Sequence, residues 1–271
     1  MSNPLKPYRI ADDRKLDLAT FDPTTKVLEM RDDAALGAAL KALQKEIGEY
    51  QNRLFAEGRR SLLLVLQGMD TSGKDGTTIA TFEQTHPQGL TVKAFKAPTS
   101  DEAAHDFLWR VHAHAPARGM ITVFNRSHYE AVIAERVLGL ASVRECKRRY
   151  VQIVDFERML VEHDTMIVKC FLHLSPAEQK GRLQSRIDDP KKHWKFNPND
   201  LVERKRWAAN MDAYNDAIRN TSTKFVPWWI VPSDSKPHRN LMVATLVRNA
   251  LAKMDPQYPA LDPKYRDLKV E

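Results

Sequence analysis

The sequence predicts one α/β domain of 271 residues, built on a five-stranded parallel sheet with helices on both faces. Apolar runs of strand length alternate with segments of helix length, which is the order that produces βαβ units. The first long run, residues 62–66, is continuously aliphatic, as in a strand that is buried on both faces of a parallel sheet. A glycine-rich stretch then leads into a helix. This places a loop at the carboxyl edge of the sheet, where the sites of such folds lie.

The chain begins with an arm, residues 1–33, whose polar and proline-punctuated sequence predicts an extended lead-in. Residues 34–57 carry apolar side chains at alternating steps of four and three, which predicts a helix with one apolar stripe. We expect this stripe to pack on the core, with a subunit interface as the alternative. The arm lacks the apolar segment of a secretory signal, and residues 62–66 are too few to cross a bilayer.

The predicted strands occupy residues 61–68, 90–95, 119–124, 165–174 and 225–231. The predicted helices occupy residues 77–86, 105–114, 129–139, 145–163, 175–188, a segment from 198, and 237–254. Thr99 and Glu102 form a predicted capping box ahead of the second of these helices. Cys146 and Cys170 lie in apolar-periodic segments, so we expect two buried, reduced thiols and a cytoplasmic protein.

The glycine-rich stretch reads GMDTSGKDGT at residues 68–77 and predicts a phosphate-binding loop. The pattern G-x-x-x-x-G-K-[S/T] is matched up to its last position, where Asp75 replaces the usual hydroxyl ligand of Mg²⁺. Glycines let the backbone amides converge, and the following helix adds the positive end of its dipole. Lys74 adds a charge directed at a phosphoryl group. A plain βα turn is the alternative. The predicted phosphate-binding residues are Gly68, Thr71, Ser72, Gly73, Lys74, Asp75, Gly76 and Thr77.

Two carboxylates in this stretch need a counter-ion. A carboxylate inside an anion cradle is repelled unless a cation lies between them, so we interpret Asp70 as a Mg²⁺ ligand, direct or through water. Asp75 either takes the place of the missing hydroxyl around the metal or caps the first amides of the helix. The hydroxyls of Thr77 and Thr78 are a further source of ligands, and the sequence leaves these alternatives open.

The third predicted strand runs into FNRSHYEAV, residues 124–132, where a second metal-binding segment is expected. Arg126 suits stabilisation of the charge on a phosphoryl group in transfer. Glu130 offers the carboxylate that Asn125 lacks. His128 is either a hydrogen-bonded structural histidine or a phosphate ligand.

Basic side chains predict a polyanionic partner, since the chain carries a net charge of +7. Nine basic and five acidic side chains lie between Glu178 and Arg206, which gives this window +4 of the total. Arg182 and Arg186 are four residues apart on one side of a helix. Such an arrangement suits a mobile basic lid, residues 175–206, whose closure excludes water. A solvated helical face is the alternative.

With these residues in view, the chain resembles the family-2 polyphosphate kinases from residue 36 to the last helix. The resemblance is carried by GMDTSGKDGT (68–77), FKAPTSDEAAHDFLWRVH (95–112), FNRSHYEAV (124–132) and RLQSRIDDPKKHWKFNPNDLVERKRW (182–207). Both acids of the loop are features of that family. The resemblance implies a fold similar to thymidylate kinases with a helical lid. It also implies Mg²⁺-dependent, reversible phosphoryl transfer between inorganic polyphosphate and a nucleotide.

The resemblance also suggests an acceptor range. Many members carry Asp-Arg-Ser-Trp-Tyr-Asn-Arg where this chain has residues 125–131. Here the Asp and Asn are replaced by Asn125 and Glu130, and the Trp is replaced by His128. This version resembles the branch of the family that accepts both AMP and ADP.

Carried over position by position, the resemblance implies that Lys74 and the loop amides hold phosphates. It implies that Asp70 and Glu130, with Asn125 nearby, hold Mg²⁺, for which Mn²⁺ is an alternative ion. A homo-oligomer with no membrane or nucleic-acid partner is expected. Further phosphate-binding residues are Arg126, His128, Arg182, Arg186, Lys191, Lys192 and Lys195. The segment expected near the nucleotide is Lys96, Ala97, Pro98 and Thr99.

Two other functions are alternatives at this point. A nucleoside monophosphate kinase would use ATP as the donor, although the nine basic side chains of the lid window favour a longer polyanion. A nucleic-acid binder would use the same basic surface, but no helix-turn-helix, zinc module or aromatic stacking platform stands out in the sequence.

Overall fold

The computed structural model describes residues 3–11, 15–266 and 268–270, so residues 1–2 and 12–14 of the predicted arm lie outside the described residues. Within these described residues, six strands form one sheet in the order β1-β6-β5-β2-β4-β3. Their bounds are β1 Arg9–Ile10, β2 Ser61–Gln67, β3 Leu90–Ala94, β4 Ile121–Asn125, β5 Thr165–His173 and β6 Trp228–Pro232.

The sheet confirms the predicted α/β class and corrects its strand count. Strands β2 to β6 pair in parallel, as expected. The sixth strand, β1, is two residues long and pairs antiparallel with β6 at the edge of the sheet. A two-residue strand has no alternation of apolar and polar side chains that could reveal it in the sequence.

Ten α-helices are found in the described residues. They are α1 Asp33–Glu57, α2 Lys74–Phe82, α3 Ser100–Ala104, α4 Trp109–His112, α5 Ala134–Val137, α6 Val143–Glu162, α7 Pro176–Asp188, α8 Asn199–Lys205, α9 Trp207–Thr221 and α10 Lys236–Met254. None of the helices in this part of the chain is both long enough and apolar enough to span a membrane.

The central strand β2 explains how the sheet is held between two helical layers. All seven of its residues are buried. Leu62, Leu64 and Leu66 belong to the core shared with α1, α2 and α10, whereas Leu63 and Val65 belong to the core shared with α6 and α9. This two-residue period is that of a strand covered on both faces. The stripe of α1 packs into the first of these cores, as expected.

Two segments predicted as single helices are broken into short turns. Between α3 and α4, Asp106 Oδ1 accepts hydrogen bonds from the amides of Leu108 and Trp109 at 2.9 and 3.1 Å. This local bond competes with a continuous helix. After β4, a 3₁₀ turn at His128–Ala131 precedes the short helix α5. The capping box of Thr99 and Glu102 is present at the start of α3.

Candidate active site

A cavity of about 530 Å³ opens beside the carboxyl ends of β2 and β4. Because β2 and β4 are parallel neighbours with Leu66 opposite Asn125, the loops that follow them meet at one edge. Gly68 and Asp70 line the cavity from the loop after β2, and Arg126 and Glu130 line it from the segment after β4. The structure therefore brings together the two segments that were predicted to carry the site.

The glycine-rich loop has the backbone geometry of an anion cradle. Gly68 has a φ of 152°, and a Cβ at this position would lie 2.7 Å from the carbonyl oxygen of Leu172. Thr71 and Gly73 also have positive φ values, 67° and 99°. The first amides of α2 have no acceptor within the helix, and Gly73 provides no side-chain cap. These amides are free to face a phosphate.

Lys74 is folded back over the loop that it follows. Its Nζ donates hydrogen bonds to the carbonyl oxygens of Gly68 at 2.8 Å and Met69 at 3.3 Å, and its side chain is buried. Burial, with the nearby charge of Arg126, lowers the pKa of Lys74 to about 8. The attraction of Asp70 and Glu130 only partly offsets this.

We expect the kcat/KM for a phosphate-chain substrate to fall as pH rises above about 8, because the free enzyme then loses the Lys74 charge. Bound phosphate stabilises that charge, so kcat should fall at a higher pH than kcat/KM does. The unfolded chain keeps its proton up to about 10.5, so this group makes stability increase from about pH 8 to about pH 10.5. Rate profiles measured from about pH 6.5 to about pH 9.5 test this, and a flat kcat/KM would contradict it.

Asp70 and Arg126 form an ion pair across the cavity. The distance between Arg126 Nη2 and Asp70 Oδ1 is 2.6 Å. Burial by itself would raise the pKa of Asp70, but the charges of Lys74 and Arg126 outweigh it and lower that pKa. Asp70 is therefore ionised at neutral pH. Arg126 has a φ of 60°, an uncommon backbone for a residue other than glycine, and its amide donates to Leu66 O at 3.0 Å.

Glu130 lies close to the same two cations as Asp70. Burial raises its pKa, and Arg126 and Lys74 act in the opposite direction. With the Gln67 amide nitrogen turned toward it, Glu130 Oε1 accepts a hydrogen bond of 3.1 Å. The nearby charge of Asp70 adds to the rise. The carboxylates of Asp70 and Glu130 thus share one set of cations.

The donor chemistry of this site fits Mg²⁺. In the part of the chain that the structure describes, no group of three His, Cys, Asp or Glu side chains could hold a metal ion alone. Mg²⁺ in phosphoryl-transfer enzymes is typically held by one or two carboxylates, with substrate phosphates and water completing its shell. Asp70 and Glu130 supply two such carboxylates to the cavity.

Asn125 and Asp75 contact each other directly. The Asn125 amide nitrogen donates a hydrogen bond to Asp75 Oδ1. Asp75 is exposed, and no side-chain bond caps the start of α2, so the capping role considered for it is not seen. Asn125 was predicted to lie near the metal, and the structure places its amide against Asp75.

His128 does not fit the phosphate-binding role predicted for it. Its side chain has no exposed surface, and its Nε2 lies 3.3 Å from Glu157 Oε1. Burial lowers its pKa, with Glu157 acting in the opposite direction. The structural interpretation, which the sequence left open, is therefore the one that the structure favours.

The lid window consists of α7, a 3₁₀ turn at Pro190–Lys195, and α8. Arg186 Nη1 donates to Asp200 Oδ2 at 2.8 Å and to Lys195 O at 3.0 Å. Its charge is close enough to Asp70 to lower the pKa of that carboxyl. The three lysines of the lid window that were predicted to bind phosphate are exposed: Lys191, Lys192 and Lys195.

Arg182, predicted to bind phosphate from a basic lid, does not face solvent. Its side chain is 9% exposed. Nη1 donates to Thr71 O at 2.9 Å, and Nη2 donates to Ser233 O at 2.7 Å and to Asp234 O at 2.9 Å. Arg182 therefore braces the phosphate loop against the chain after β6. Sequence spacing shows that two arginines share a helix side but not which one is buried.

We expect Arg182→Ala to destabilise the protein by about 2 kcal/mol or more, because several buried carbonyls lose a charged donor. Arg186→Ala should cost about 1 kcal/mol or less, because its ion pair is partly exposed. Arg186→Ala should instead raise the KM for a phosphate chain. Urea unfolding and KM measured on both variants test the contrast. Equal stability of the two variants would contradict the role of Arg182 in holding the phosphate loop against the chain after β6.

The predicted nucleotide segment follows β3, which is separated from β2 by β4 in the sheet. Lys96, Ala97 and Pro98 line the cavity, together with Phe95. The Lys96 carbonyl accepts a hydrogen bond of 2.8 Å from Arg110 Nη2. Thr99 does not line the cavity as its neighbours do, since its hydroxyl accepts from the Glu102 amide at the start of α3.

Several site residues were missed in the sequence, among them Arg239, Tyr214 and Asp200. Arg239 of α10 is buried and donates to Ser72 O at 2.9 Å, beside Arg182. Tyr214 of α9 and Asp200 of α8 line the cavity. Arg239 could have been found, because it lies in the first turn of a helix that follows a predicted strand and so at the same edge of the sheet. Tyr214 reaches the site through tertiary packing that its own segment does not reveal.

Comparison with known proteins agrees with this geometry. The family model for polyphosphate kinase 2 matches residues 30–259. An AMP/ADP-polyphosphate phosphotransferase from Meiothermus ruber is 43% identical over 94% of this chain and 96% of its own length. An ADP-polyphosphate phosphotransferase from Rhodopseudomonas palustris is 36% identical over 96% of this chain and 94% of its own.

A solved structure has the same fold. The crystal structure of polyphosphate kinase 2 from Arthrobacter aurescens TC1 superposes with a TM-score of 0.92, at 41% identity, over 99% of this chain and 94% of that chain. The residues matched by the family model include the loop, the segment after β4 and the lid window. The chain belongs to the polyphosphate kinase 2 family.

Proposed function

We propose that this protein transfers the terminal phosphoryl group of inorganic polyphosphate to AMP and to ADP, reversibly and with Mg²⁺. The observation that carries the proposal is the convergence of Asp70, Arg126 and Glu130 on one cavity, with the charge of Lys74 close to all three at the phosphate loop. The names of the relatives, which include both acceptors, support the acceptor range.

In this reaction an oxygen of the acceptor phosphate attacks the terminal phosphorus of the chain. The bond from that phosphorus to the bridging oxygen breaks, and polyphosphate becomes one phosphate shorter. Lys74 and the first amides of α2 hold the transferring group, and Arg126 neutralises charge that builds on it. Asp70 and Glu130 would hold Mg²⁺, which supplies charge neutralisation on the phosphate oxygens when bound.

The long donor is accommodated by cations beyond the loop. Arg186 and the exposed lysines of the lid window lie to one side. Arg239 and Arg182 lie behind the loop, and burial lowers the pKa of Arg239, with the Arg182 charge next to it. Two neighbouring guanidinium groups favour an anion nearby. This supply of positive charge favours polyphosphate over ATP as the donor.

An assay without ATP tests the acceptor range. Protein, Mg²⁺ and polyphosphate are mixed with AMP or with ADP in separate reactions, and the nucleotides are separated by chromatography. The proposal predicts ADP from the first reaction and ATP from the second. Product from ADP alone would restrict the acceptor to diphosphates. Product from neither would overturn the proposal.

The proposal also covers the cellular location, the oligomeric state and the metal ion of the enzyme. Two free, buried cysteines, Cys146 and Cys170, support a cytoplasmic location. Exposed apolar side chains at the start of α6, Leu140 and Val143, support association into a homo-oligomer. Mn²⁺ is an alternative to Mg²⁺ because both prefer carboxylate and phosphate oxygens.

A further inference from the structure

A buried ionic network lies directly beneath the segment that follows β4. It consists of Lys169 of β5, Glu157 of α6, and Tyr129 and His128 of the segment itself. Their side chains are essentially inaccessible to solvent. None of them is used in the transfer step described above.

The network is closed and almost fully satisfied. Lys169 Nζ donates to Glu157 Oε2 at 2.6 Å, to the Tyr129 hydroxyl at 2.9 Å and to Thr221 O at 2.9 Å, which uses all three of its donors. The Tyr129 hydroxyl donates to Glu157 Oε1 at 2.8 Å. The same carboxylate oxygen lies 3.3 Å from His128 Nε2. Two consecutive side chains of the segment are thus held by one carboxylate.

In the chain, His128 and Tyr129 lie between two charged residues of the segment that line the cavity. Arg126 precedes them and Glu130 follows them, so the backbone that sets both charges passes over the network. Arg126 has a φ of 60°, a conformation that persists only where surrounding structure fixes it. The Tyr129 ring also packs edge-on against Trp228, with centroids 4.7 Å apart.

A stability role alone does not account for this network. A buried ion pair loses hydration on both partners, and apolar side chains of similar size often replace such pairs without loss of stability. Where buried polar groups are satisfied, they specify one arrangement of the chain around them. The arrangement specified here is that of residues 126–130.

We propose that the Lys169–Glu157 ion pair is a positioning element for phosphoryl transfer, which fixes Arg126 and Glu130 through Tyr129 and His128. The inference rests on the function proposed above. According to this inference, buried residues that do not contact the substrate influence the rate of the reaction. A misplacement of about 1 Å at reacting groups can cost about 10² in rate.

The experiment compares Tyr129→Phe with wild type and with Tyr150→Phe. The first change removes the hydroxyl that joins Lys169 and Glu157, whereas Tyr150 is a buried tyrosine of α6 outside the network. We expect kcat to fall about 10- to 100-fold in Tyr129→Phe, with the KM for polyphosphate within about threefold of wild type. Tyr150→Phe should keep wild-type kcat.

Hydrogen exchange gives a readout that does not need activity. The amides of Arg126, Glu130 and Ile133 donate to carbonyls within or beside the segment, so their exchange reports on its order. Faster exchange of residues 126–133 in Tyr129→Phe, together with the fall in kcat, supports the inference. Either change without the other overturns it. Wild-type protein that turns over no nucleotide refutes the proposed function, while the exchange data still test the anchoring.

A second variant keeps the test decisive if Tyr129→Phe does not fold. The pair Glu157→Gln with Lys169→Met removes both charges and leaves neither partner alone in the core. It should fold and show the same fall in kcat and the same faster exchange. Turnover within about threefold of wild type in the folded pair overturns the inference.

Discussion

Lys74→Ala is expected to lose about 10²–10³ in turnover while the protein remains folded. Lys74 is the only lysine or arginine in the sequence of the loop, residues 68–77, and we propose that its charge holds the transferring group. Loss of one such preorganised contact typically raises the barrier by about 2.7–4 kcal/mol. In the free protein Lys74 is bonded to two loop carbonyls, and water can take its place there.

The measurement is kcat with polyphosphate and ADP, alongside a thermal unfolding curve. Lys45→Ala is the matched control, because Lys45 is an exposed lysine on α1, outside the lid window. The control should keep wild-type turnover. A Lys74→Ala protein that is folded and retains more than about a tenth of wild-type turnover would contradict the phosphate-loop assignment.

Glu130→Gln is expected to lower turnover by about 10²-fold and to raise the Mg²⁺ concentration needed for half-maximal rate. Glutamine keeps the shape of the side chain but removes the charge that, with Asp70, faces Lys74 and Arg126. Glu162→Gln is the matched control, since Glu162 is exposed at the end of α6. Turnover measured across a Mg²⁺ titration shows both effects, and an unchanged Mg²⁺ requirement would contradict the metal role.

Asn125→Asp, added to Glu130→Gln, separates two accounts of residue 125. If both positions serve one metal, the new carboxylate should restore part of the lost rate. In the structure, however, Asn125 donates to Asp75, and an aspartate here would put two carboxylates in contact. We therefore expect no rescue from the pair. Partial rescue would show that the metal draws residue 125 away from Asp75.

The sheet could be predicted from the sequence because its strands are buried on both faces. A strand such as β2, with every residue buried, appears as a continuous aliphatic run. The edge strand β1 could not be predicted in this way, since its two residues carry no period. Likewise, the sequence predicts a helix over residues 129–139. The structure nevertheless forms short turns there, because Tyr129 is drawn into the core beneath the sheet edge.

Site residues could be predicted from the sequence where they directly follow a strand, because the carboxyl ends of parallel strands meet at one edge of the sheet. Asp70, Lys74, Arg126 and Glu130 follow two strands that are neighbours in the sheet, so their charges lie close together. The spacing of residues along a helix does not show how deeply each side chain is buried. Arg182 and Arg186 share a helix side, yet Arg182 is bonded into the loop while Arg186 faces the lid carboxylate Asp200. His128, like its neighbour Tyr129, is drawn into the core.

The identity of the phosphoryl donor decides between the proposed function and an ordinary nucleotide kinase. The measurement is the rate of ADP formation from AMP with Mg²⁺, using polyphosphate in one reaction and ATP in a second at equal phosphate concentration. The proposed function predicts rapid formation with polyphosphate, lowered about 10²–10³-fold in Lys74→Ala, and little formation with ATP. Rapid formation with ATP and none with polyphosphate would contradict it.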